Sequence, residues 1–186
     1  MLPLDCFAPL AMTGRSPMRA MVAAGCLMVA SAGAALAQAV PELPAALNPG
    51  ELKAYLAVPA KGAQIHVCNK NDAGAYVWTF KAPEAELTDT AGKNIGKHYG
   101  GPSWEGSDGG KVVGAVKASA PAPGGNAIPW LLLDIKSRDG SGQFTQAAAI
   151  LRVNTVGGTA PLAGCDEAHA GTEQRVPYTA VYYFLK

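Results

Sequence analysis

Short apolar runs of period two, each bounded by turn residues, constrain the fold of this chain more than any other feature. Leu52, Ala54, Leu56 and Val58 alternate with Lys53, Tyr55 and Ala57. Ala63, Ile65 and Val67 alternate with Gln64, His66 and Cys68, and Tyr76, Trp78 and Phe80 with Val77, Thr79 and Lys81. Side chains on an extended backbone alternate between faces, so this spacing predicts strands. Lys61-Gly62 and Asn71-Asp72-Ala73-Gly74 read as the turns between them. Further strands are expected at 86–88, 94–99, 112–118, 129–135, 144–155 and 176–185. Ala147-Ala148-Ala149 has helical propensity within its run. A long loop is expected over 156–175, and no stretch has the apolar spacing of a long amphipathic helix. The reading is mainly β: a single antiparallel β-sandwich or barrel of about eight or nine strands.

The first 37 residues read differently. Arg15 and Arg19 precede an apolar run over 21–35, and Ala35-Leu36-Ala37 offers small residues for cleavage before Gln38. This is the pattern of a secretory signal peptide, starting at Met1 or, more compactly, at Met18. Ala23-Ala24-Gly25-Cys26 is a degenerate lipobox with Ala where Leu is usual. The expected organisation is a signal peptide over 1–37, a Pro-rich arm over 38–50 with Pro41, Pro44 and Pro49, and one β domain over 51–186. Export, to the periplasm or beyond, follows from that reading. No membrane span is expected in the mature chain.

Removing Arg15, Arg19 and Asp5 from the 15 basic and 14 acidic residues leaves 13 of each. A neutral chain with scattered basic residues argues against nucleic acid as a partner. Of the four cysteines, Cys68 and Cys165 survive cleavage, and in an oxidising compartment they are expected to pair. A bridge across nearly a hundred residues is worth about 4–5 kcal/mol in the chain-entropy model.

Three readings of the polar residues compete. His98, Tyr99, Trp104 and Glu105 crowd around Gly100-Gly101-Pro102, and aromatic rings beside polar groups suit a binding surface. His66, His98, His169 and Asp166 are weak metal-ligand candidates without recognised spacing. The bridge would carry His66 towards His169, while Arg152 and Arg175 are placed to pair with Asp166 and Glu173. Glu105 and Asp108 could form a carboxylate pair for glycoside cleavage. No Gly-x-Ser-x-Gly elbow, P-loop, Cys-x-x-Cys or dinucleotide fingerprint occurs, so no cofactor is expected.

Several stretches, among them Lys81 to Leu87, Ile95 to Glu105, Asp108 to Gly114, Ala127 to Leu133, Arg152 to Gly158, Gly164-Cys165-Asp166 and Val176 to Ala180, together resemble the domain-of-unknown-function family DUF3455. That family comprises exported bacterial proteins with fungal relatives. The resemblance implies export and a single domain, and brings no catalytic residues. A malate dehydrogenase label on some fungal relatives does not suit a β chain without a dinucleotide fingerprint. The expected function is non-catalytic binding of a small molecule, glycan or protein partner. A metal-dependent or carboxylate-based hydrolase and a structural envelope or cell-surface component are the alternatives.

Overall fold

A computed structural model describes residues 39–186; the signal peptide read at 1–37 lies outside the described residues. Eight strands form one closed antiparallel barrel in which every strand pairs with its sequence neighbours and the last closes on the first. They are β1 (Ala54–Lys70), β2 (Tyr76–Thr88), β3 (Asn94–Tyr99), β4 (Ser103–Gly106), β5 (Lys111–Ala120), β6 (Trp130–Asp139), β7 (Ala149–Gly157) and β8 (Glu173–Leu185). No helix among these residues is long and apolar enough to cross a membrane.

Strand boundaries differ from the expectation at several places, and β4 is not among the expected strands. Lys61-Gly62 is not a turn: β1 runs straight through it. Gly62 is needed there because a Cβ would lie 2.0 Å from the Glu84 carbonyl oxygen of β2. Pro83 likewise lies inside β2, opposite Gln64, so the runs at 76–81 and 86–88 are one strand. Lys81 is the extra residue between Ile65↔Ala82 and His66↔Phe80, a bulge that re-aims the upper half of the strand. The run at 144–155 opens instead with a 3-10 turn, Phe144–Gln146, and β7 begins at Ala149.

Alternation divides the apolar residues into two cores. Inward-facing Val58, Leu87, Val112, Leu133, Ile150 and Phe184 fill the barrel. Phe144 stacks on Phe184 at 4.5 Å between ring centroids and stops the end carrying the 140–148 connection. Outward-facing Trp130, Leu132, Leu151, Val153, Tyr183 and Leu185 form the second core, against which Val40, Leu43 and the fully buried Leu47 pack. The Pro-rich arm thus covers the outside of β5–β8, and the Tyr183 hydroxyl donates to the Ala39 carbonyl at 3.1 Å.

The opposite end is the mouth, bordered by connections 71–75, 100–102, 121–129 and 158–172. Cys68 and Cys165 are joined, with 5.3 Å between their Cα atoms. The bond ties the 158–172 loop to the upper part of β1, and Trp78 Nε1 donates to the Ala163 carbonyl at 2.9 Å beside it.

Candidate functional site

The β3–β4 hairpin pairs Lys97 with Glu105, His98 with Trp104 and Tyr99 with Ser103. Adjacent residues of a strand face opposite ways. His98 and Trp104 therefore enter the barrel, both almost wholly buried, while Tyr99 and Glu105 stay outside. The four residues expected to share one surface belong to two. Outside, Tyr99 donates to Glu105 at 2.7 Å, with Lys97 and Lys111 each over its ring. The Tyr99 and Lys97 hydrogen bonds hold the Glu105 carboxyl below its usual range. Asp108 accepts from the Gly110 and Gln143 amides, which occupies the other half of the expected carboxylate pair.

Inside, His98 stacks on Trp104 at 4.5 Å and tilts against Tyr182 at 4.9 Å. Room for the indole comes from Gly114 of β5, where an added Cβ would stand 3.0 Å from the Trp104 ring. His98 Nδ1 lies 2.8 Å from the Ser103 carbonyl oxygen, which can only accept, so Nδ1 carries the proton. Burial drives the His98 pKa down to about 3, against the smaller upward pull of that bond. The ring is a neutral aromatic wall.

The metal candidates do not meet. His66 sits on the inner face of β1, its Nε2 donating to the Gly158 carbonyl at 3.2 Å. His169 is exposed on the loop and bonds Asp166 at 2.6 Å. Among the described residues no cluster of three or more His, Cys, Asp or Glu could hold a metal. The expected arginine pairings also change. Arg175 binds Glu84 at 2.8 Å, Glu173 binds Lys81, and Arg152 turns to the Pro129 carbonyl, donating from Nε at 3.1 Å and Nη2 at 2.8 Å.

Above the ring wall, the barrel mouth opens into a cavity of about 180 Å³. Trp104, His98, Tyr182 and Leu133 line its depth, and Phe80 and Val116 its rim, both more than half exposed. A second, more open recess of about 380 Å³ adjoins it, sharing Phe80, Leu131 and Arg152 and adding Gln64, His66 and the Gly158-Thr159-Ala160 segment. A dry cavity of roughly 150 Å³ lined by aliphatic and aromatic side chains suffices for benzene. The first cavity therefore accepts one aromatic ring, and the adjoining recess leaves room for the remainder of a two- or three-ring molecule.

Arg152, Phe80 and Gln64 were missing from the expected site. A signal for Arg152 was present: it lies two residues beyond Ile150 on the same strand, and so on its inward face.

A family model described as protein of unknown function (DUF3455) matches residues 49–186. No curated protein and no solved structure matches the chain.

Proposed function

The chain belongs to the DUF3455 family of proteins of unknown function, and on that footing we propose, from geometry alone, that it binds a small, largely apolar molecule in the mouth of its barrel. The carrying observation is the cavity that reaches down to Trp104, His98 and Tyr182 beneath exposed Phe80 and Val116. Small eight-stranded barrels either fill their interior with side chains or keep space for one ligand. This one does the first at the Phe144 end and the second at the mouth. Apolar walls with a few polar groups are the usual make-up of such a site. They favour a flat or aliphatic molecule over a glycan. The disulfide and the signal-like leader fit work outside the cytoplasm, as carrier or sensor of that molecule.

Chemistry on a bound substrate has weaker support. His66 and His98 both bond backbone carbonyl oxygens rather than carboxylates, so neither is oriented as a general base by an acid.

The test uses the uncharged fluorophore N-phenyl-1-naphthylamine with the mature chain, 38–186. Saturable binding with a blue-shifted emission is expected. V116W, a change at an exposed rim residue, should weaken it by about tenfold, equivalent to 1.4 kcal/mol, by closing the entrance. No saturable binding, or equal binding by the folded V116W protein, refutes the reading.

A further inference from the structure

Arg152 is a cation without a counter-ion at the junction of the two recesses. The ion pairs among the described residues are Lys81–Glu173, Lys97–Glu105, Lys117–Asp134, His169–Asp166 and Arg175–Glu84, and Arg152 is in none of them. Among the described residues, no acidic side chain lines either recess. The two bonds to the Pro129 carbonyl fix the guanidinium in place without neutralising it. Its charge is felt inside the barrel, where it draws the Tyr182 phenol down against the larger upward push of burial.

Beside it stands a second polar group in need of a partner. Gln64 is 2 % exposed, lines the recess that Arg152 lines, and its Nε2 has no hydrogen-bond partner within normal distance; its downward pull on the Tyr178 phenol is the least of the effects there, as a loose approach would give. Burying an amide donor without a partner is unfavourable, because its bonds to water are lost and not replaced. A fixed cation and an unspent donor, set next to a ring-sized apolar cavity, together describe the ligand that would satisfy them.

We infer that the occupant of the mouth is an amphiphilic monocarboxylate, with its apolar body between Phe80 and Trp104 and its carboxylate on Arg152 beside the Gln64 amide. The inference rests on the mouth being a binding site, and narrows it to a chemical class. Hydrogen bonds between charged groups are roughly twice as strong as neutral ones, and a guanidinium suits a carboxylate geometrically.

Calorimetric titration of the mature chain with 2-naphthoate and with its uncharged isostere 2-naphthamide tests this. The expected result is naphthoate binding about tenfold tighter than naphthamide, a gap of about 1.4 kcal/mol, because a hydrogen bond between charged groups is stronger than a neutral one. Added salt should narrow the gap. In R152Q the two affinities should come within about twofold of each other, since the other cation lining the mouth, Lys81, is already paired with Glu173. The comparison on the unaltered protein stands even if R152Q does not fold. Equal affinities for the two probes overturn the carboxylate assignment while leaving the mouth as a binding site. Failure of both probes and of the uncharged fluorophore removes the site, and the carboxylate assignment with it.

Discussion

His98 is a base kept from its proton. In the folded chain its pKa falls to about 3, whereas the ordinary value is 6.5. Below pH 6.5 the unfolded chain binds a proton that the folded chain refuses, so acid favours unfolding. The contribution is fully present above pH 6.5 and drains away as pH falls towards 3. At 1.36 kcal/mol per pKa unit the loss is on the order of 5 kcal/mol at the acid end. Urea unfolding measured from pH 7 to pH 3.5 should show it, and H98F should remove that part of the slope. Lowered carboxyls such as Glu105 and Asp166 add to the acid loss in both proteins. The difference between the two curves therefore isolates the imidazole. Parallel curves would mean that the ring is not shielded as described. Residue-level legibility was partial for the same reason that His98 is buried. Contiguity in sequence suggested one surface for His98, Tyr99, Trp104 and Glu105, but the two-residue period assigns neighbours to opposite sides of a one-sheet wall.

At the level of elements, the most consequential tie is the one between β1 and the 158–172 loop. Replacing both cysteines by serine (C68S/C165S) should cost about 4–5 kcal/mol in the chain-entropy account, read as a lower urea midpoint. Hydrogen exchange should quicken first over 158–172, because that loop has few other anchors. An unchanged midpoint would show that Trp78 and the local turn hold the loop unaided. The pairing of these cysteines was legible from their number and from the expectation of export. Most strands were legible from alternation, although Phe144–Gln146, read as strand, forms a 3-10 turn. They were misread where Gly62 and Pro83 occur, because both residues usually mark turns. Gly62 instead marks a close approach of β1 to the Glu84 carbonyl, a tertiary demand that local pattern does not reveal. The short β4 went unseen because Trp104 and Glu105 read as site residues rather than as a strand edge.

For the whole molecule, the arm matters as much as the sheet. Leu47 is fully buried in the outer core with Trp130 and Tyr183. Leu47→Ala should lower stability by about 2–4 kcal/mol, the range for emptying a packed leucine site. Peeling the arm away would also bare an apolar face, so the variant is expected to bind a hydrophobic dye at lower denaturant than the parent. A variant as stable as the parent would show that the arm merely rests on the barrel. Barrel or sandwich was left open by the alternation, because both present the same two-faced strands; only the pairing of β1 with β8 decides. That last pairing has a consequence for assembly. Where the ring is closed it offers no spare row of amides and carbonyls for a visiting peptide to zip onto; residues 76–82 of β2 and 116–120 of β5, above the short β3–β4 hairpin, are paired on one side only. Recruitment by strand donation is thereby confined to those two short rows beside the mouth, and elsewhere a docking protein must grip side chains or connecting segments.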